Sequence, residues 1–182
     1  MQEKSGNKNK SQSGELTKQL TNALQTIQDP EIKKEVDSIK IENVAERTTT
    51  DNKKYYLVQV TANEKDLHKA HGSIVKSFEK KLSSSVVIIP HRRRINGKLH
   101  RAYKGRLVPR HETLSHVYDS YLQDIVFPAA IVGKRVKYPK SNARQFKVIV
   151  DKLDRETIED KLGAITSAYK ALTNRNLTVE FA

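Results

Sequence analysis

The side chains most able to do chemistry in this chain are arginines and lysines, and they are not spread evenly. Between His91 and His111 stand Arg92, Arg93, Arg94, Lys98, Arg101, Lys104, Arg106 and Arg110, with no acid among them. Between Ala129 and Val150 stand Lys134, Arg135, Lys137, Lys140, Arg144 and Lys147, again without an acid. Arginine presents a rigid planar fork that binds phosphate through two N–H groups and can stack on an exposed base. Tyr103 is interleaved with the first group and adds a stacking face, while Gly97 and Gly105 let the backbone approach an irregular partner. The candidate nucleic-acid contacts are therefore Arg92, Arg93, Arg94, Lys98, Arg101, Tyr103, Lys104, Arg106 and Arg110, with Lys134, Arg135 and Lys137 in a second patch. On a strand, Lys134 and Arg135 project to opposite faces.

Catalytic alternatives are weaker. His111-Glu112-Thr113-Leu114-Ser115-His116 resembles a zinc-protease signature with one residue too many, so its two histidines diverge around a helix instead of sharing a face. His68 and His71 do share a face, but no third ligand accompanies them. Asp119 with Asp124, and Glu156 with Glu159 and Asp160, read as ordinary helix acids, the latter group in a first turn where the dipole favours them. The seven glycines form no phosphate-binding fingerprint, and no nucleophile elbow can be drawn. The chain has no cysteine, which excludes disulfides, thiol nucleophiles and cysteine-ligated metals. No cofactor, no metal and no enzymatic activity are expected.

The charge total supports a polyanionic partner. The 182 residues carry 34 Lys and Arg against 21 acids, a net +13 with a pI near 9.8. Setting aside the fourteen cations of the two basic segments leaves 20 against the same 21 acids, so the positive surplus lies wholly in those segments. Surfaces ordinarily intersperse their signs. No apolar run approaches the ~20 residues of a membrane span, and Met1 to Gly14 is polar with no apolar signal region. A soluble, intracellular protein is expected, with no membrane partner.

The elements that must position these residues follow from periodicity. Residues 1–14 are polar and read as a disordered tail ahead of one α+β domain over 15–182. Leu16, Leu20, Ala23, Leu24 and Ile27 predict a first helix, and Asp29-Pro30-Glu31 opens a short second one. Residues 39–44 and 55–60 flank the polar turn at Thr48 to Asn52, a hairpin. Asn63 caps a helix carrying Leu67, Ala70, Ile74 and Phe78, and residues 85–89 form a buried strand stopped by Pro90. A helix from Thr113 to Phe127-Pro128, a second hairpin over 131–138 and 145–150, a helix capped by Asp154, and a closing strand through Leu177, Val179 and Phe181 complete the chain. Fold class is α+β: a mixed or antiparallel sheet with hairpins packed on helices, a single domain with a basic extended loop at 91–111. That loop is expected to be mobile without RNA. No internal repeat is evident.

Without a helix-turn-helix, finger or basic zipper, DNA is not the expected partner; an arginine-rich loop on a neutral body suits structured RNA. At this point the chain resembles a known family. Leu122-x-Asp124-x-Val126-Phe127-Pro128-x-x-Ile131-Val132-Gly133-Lys134-Arg135-Val136-x-Tyr138 carries the resemblance, supported by Phe78-Glu79-Lys80-Lys81, Arg92-Arg93-Arg94, Tyr169-Lys170-x-Leu172-Thr173 and Val179-Glu180-Phe181. The family is that of the eukaryote-specific ribosomal protein seven of the small (40S) subunit, from which Tyr118 and Gln123 depart. The resemblance implies a structural constituent of the small subunit, bound to its 18S rRNA and to neighbouring small-subunit proteins. It also implies a cytoplasmic location on ribosomes after a nucleolar assembly stage, with a part in rRNA maturation. A free RNA chaperone or processing factor, or an enzyme acting on an anionic substrate, are the alternatives to be separated from it.

Overall fold

The computed structural model describes residues 6–25, 33–95, 109–138, 140 and 145–182. The chain gathers into two compact units, Met1–Pro90 and His91–Ala182, and the class is α+β in both. No helix among the described residues is long and apolar enough to cross a membrane.

The first unit runs α1 (Gly6–Gln25), α2 (Lys33–Asp37), β1 (Lys40–Thr48), β2 (Lys54–Thr61), α3 (Glu64–Leu82) and β3 (Ser85–Pro90). β1 and β2 form the expected antiparallel hairpin, and its turn places Asn52 at φ 57 with its N–H donated to the Thr49 carbonyl at 3.0 Å. Asparagine tolerates that left-handed position better than most residues. β2 then pairs in parallel with β3, which requires the crossover that α3 supplies. Leu20 and Leu24 of α1, Leu67, Ile74 and Phe78 of α3, and Val44, Val58 and Ile88 of the sheet form one buried cluster. Each contributes about 1.5–3 kcal/mol by leaving water. Val86, Val87, Ile88 and Ile89 are all buried, so β3 is covered on both faces and reads as an unbroken apolar run.

Two expectations change here. Nine residues of the anticipated disordered tail, 6–14, are helical, because α1 begins at Gly6. Once the amphipathic turns behind Leu16 and Leu20 exist, each added residue gains a backbone hydrogen bond without a new nucleation cost. Met1 to Ser5 and the Asp29-Pro30-Glu31 start signal lie outside the described residues. Asn63 occupies the N-cap of α3 but makes no cap bond; its amide donates to the Asp66 carboxylate at 3.1 Å.

The second unit contains a short 3-10 turn at Arg110–Glu112, then α4 (Leu114–Val126), β4 (Ile131–Lys137), β5 (Gln145–Val150), α5 (Arg155–Ile158), α6 (Leu162–Thr173) and β6 (Asn176–Phe181). β4 and β5 are the second antiparallel hairpin, and β5 pairs in parallel with β6. The single helix expected after Asp154 is broken into α5, a 3-10 turn at Glu159–Lys161, and α6. Asp154 is not a capping side chain: its carboxylate accepts the Ala130 N–H at 3.0 Å. Asp151 caps instead, accepting from Leu153 N–H at 3.3 Å.

The two units repeat one design. Each places a helical segment before a hairpin, crosses over through a second helical stretch, and ends on a six-residue parallel strand. The register coincides in detail. The first strand bulges at Glu42, between the pairs Ile41↔Val60 and Asn43↔Gln59, and at Val132, between Ile131↔Val150 and Gly133↔Ile149. The rows Ile41–Val60–Pro90 and Ile131–Val150–Phe181 therefore correspond. Both crossover helices end on a left-handed residue, Ser83 at φ 50 and Asn174 at φ 55, two positions before the last strand.

Candidate nucleic-acid interface

Of the first basic segment, residues 91–95 and 109–111 are described; Lys98, Arg101, Tyr103, Lys104 and Arg106 lie outside the described residues. The three consecutive arginines part company at once. Arg92 turns inward: its Nε and Nη2 donate to the two carboxylate oxygens of Asp124 on α4, each at 2.8 Å. The Asp124 side chain is only 7% exposed and that of Arg92 20%. A carboxylate removed from water needs such a two-point partner, so Arg92 holds the segment onto α4 and is committed to that role. Arg93 and Arg94 are exposed; Arg93 reaches Glu112 only at 3.7 Å. The Ile95 N–H donates to the Glu112 carbonyl at 3.0 Å, which fastens residue 95 beside residue 112. Arg92 and Ile95 are thus the points at which the basic segment is bonded to α4 and to Glu112. Arg110 is exposed on its 3-10 turn. Burial pushes the Tyr121 phenol above its ordinary value, against the opposing pull of Arg92 and Arg94.

The second patch divides by strand alternation, as the period of two requires. Lys134 pairs across the ladder with Val148, on the face that α4 covers, and its ammonium is bonded to Asp119 of that helix. Arg135 pairs with Lys147 and shares the opposite face with Lys137. Arg135 and Lys137 are exposed and form no ion pair with a described residue. Lys147, which the sequence places in the basic run but not among the candidate contacts, joins them there and bonds Glu180 of β6. Lys147, then Lys137 and Arg135, hold the Glu180 carboxyl below the usual carboxylate range. Register supplies the missing signal: only the pairing of β4 with β5 shows that Lys147 and Arg135 are neighbours.

Arg175 also escaped notice in the sequence. Its guanidinium lies between the rings of Tyr118 and Phe146, 4.6 and 4.7 Å from their centroids. This cation is spent on joining α4 to β5, each face worth about 0.5–2 kcal/mol. Of the histidine pair, His111 is 72% exposed beside Glu112 and His116 is exposed. The arrangement thus consists of exposed cations on one sheet face and on the stems of the basic segment, with the inward cations ion-paired or stacked.

Comparison with known proteins gives this arrangement its setting. The family model for ribosomal protein S7e matches residues 4–181. The Caenorhabditis elegans small ribosomal subunit protein eS7 is 31% identical over 92% of this chain and 89% of its own length. The Anopheles gambiae protein of the same name is 38% identical over 71% of this chain and 70% of its own. That of Schizosaccharomyces pombe is 38% identical over 64% and 60%. With a match running almost from end to end, the chain belongs to the ribosomal protein S7e family.

Proposed function

We propose that the protein is a structural, non-catalytic constituent of the small ribosomal subunit that binds 18S rRNA through its basic segments. It neighbours other small-subunit proteins there and supports subunit assembly and rRNA maturation. The observation that carries the reading is the segregation of charge: a net +13 confined to two acid-free stretches, in a chain whose relatives are named small-subunit proteins. The contacts are Arg93, Arg94 and Arg110 on the stems, Arg135 and Lys137 on the sheet, and Lys98, Arg101, Tyr103, Lys104 and Arg106 between the stems. Arg92 and Lys134 support the site through Asp124 and Asp119. The working location is the cytoplasmic ribosome, after assembly in the nucleolus.

Two measurements test this. In cell extract the protein should sediment with small subunits; a free pool with none on ribosomes would identify a stand-alone RNA chaperone instead. Binding of the purified chain to rRNA should weaken with salt. About six neutralised phosphates at ~0.7 each give a log–log slope near −4. An affinity indifferent to salt would refute phosphate-based binding.

A further inference from the structure

The sheet face bearing Arg135 and Lys137 has a built-in comparison, because the first unit contains the same face at the same register. There its central positions are Tyr55, Leu57, Val87 and Ile89, all buried. In the second unit the corresponding positions are Gln145, Lys147, Thr178 and Glu180, with Gln145, Thr178 and Glu180 exposed; Ile149, which answers to Gln59, is the apolar residue of the face and is half-buried. At these four positions polarity belongs to the second copy alone, although Arg47, Gln59 and Ser85 are polar elsewhere on the same face of the first. Its charges do not balance, since Arg135, Lys137 and Lys147 oppose the one acid, Glu180. Arg135 and Lys137 stand about 7 Å apart along the strand, and Lys147 lies about 5 Å across from Arg135.

No aromatic side chain lies on this face among the described residues. A sheet that reads unpaired RNA needs rings on which bases stack. This one offers a guanidinium, ammonium groups, a hydroxyl and an amide, the groups that meet phosphates and 2′-hydroxyls of a double helix. We infer that the open face of the β4-β5-β6 sheet docks on the sugar–phosphate backbone of a double-helical rRNA segment. The inference rests on the ribosomal reading above and adds the surface and the form of RNA it takes.

The test uses the full chain with a short mixed-sequence RNA duplex and one of its single strands. Arg135→Glu with Lys137→Glu should lower duplex affinity at least tenfold and make the salt slope shallower by about two. Lys170→Ser, which removes an exposed cation of α6 outside both basic segments, should change it less than twofold. The milder pair Arg135→Ser with Lys137→Ser, checked for an unchanged melting temperature, should fall between them. Because the chain has no cysteine, Thr178→Cys accepts a single iron chelate. In reconstituted subunits its radicals should cut paired rRNA. Unchanged duplex affinity and slope in the Glu variant would overturn the inference, as would a loss confined to the single strand or a chelate that strikes only a neighbouring protein. In each of those cases a wild-type chain that still binds rRNA in a salt-dependent way leaves the ribosomal reading standing. A wild-type chain that neither binds rRNA nor sediments with small subunits removes both.

Discussion

Arg92 and Lys134 are both cations bonded to an acid on α4, yet removal of their partners should have very different costs. Asp124 is nearly enclosed, so Asp124→Asn leaves a guanidinium with half its acceptors in a site shielded from water. Breaking a fully buried pair costs about 3–5 kcal/mol, and the partial exposure of Arg92 reduces the expected loss to about 2–3. Asp119 is half exposed, and Asp119→Asn should cost no more than about 1 kcal/mol. Urea midpoints of the two variants measure the difference, and equal shifts would refute it. The division of labour among Arg92, Arg93 and Arg94 is not legible in the sequence, because three identical side chains in a row carry no sign of which one meets an acid from another element. The opposite orientation of Lys134 and Arg135 is legible, since alternation alone decides it. Which of those faces a helix would cover is not.

At the level of the strand, β4 mixes residues that look equivalent in sequence. Val132 and Val136 both fit an apolar inner face, but Val132 is the bulged residue and is 64% exposed. Val136 pairs with the buried Phe146. Val132→Ser should therefore shift stability by no more than about 0.5 kcal/mol. Val136→Ser combined with Phe146→Ser should cost more than about 4 kcal/mol, enough to unfold many domains. Circular dichroism melting of the two variants decides it; a Val132→Ser variant as damaged as the double one would put Val132 in the core. Both hairpins were legible because their apolar residues alternate around polar turns. The bulges were not, since an extra residue is defined only against the partner strand. The division of the last helix into α5 and α6 also left no mark in its Ile158, Leu162, Ile165 periodicity.

Across the whole chain the same architecture occurs twice with hardly a shared side chain on the second sheet face: Tyr55 answers to Gln145 and Leu57 to Lys147. A repeat kept in register and caps but not in residue identity is invisible to a search for recurring sequence. The second unit has buried apolar side chains on each of its main elements: Val117 and Ile125 of α4, Val148 of β5, and Ala168 and Tyr169 of α6. Its size exceeds the ~60 residues at which many domains fold alone. A fragment of residues 91–182 should accordingly unfold in one cooperative step, with the slowest amide exchange in β5, the strand paired on both sides. A fragment showing no cooperative transition would mean that this unit depends on the rest of the chain for its fold.

The bulges at Glu42 and Val132 also matter for the time the chain spends alone. β1 and β4 are edge strands, and a straight edge offers its free N–H and C=O groups to any other strand as a template for aggregation. A bulge near the start of each strand twists that template out of line. Lys40, Glu46 and Arg47 on one edge, and Lys134, Arg135 and Lys137 on the other, make a neutral or like-charged newcomer unwelcome. A chain that works on RNA, as proposed above, must stay dispersed until it meets that partner. On β4 the cations proposed above as RNA contacts, Arg135 and Lys137, are also the ones that keep copies of the chain from zipping together.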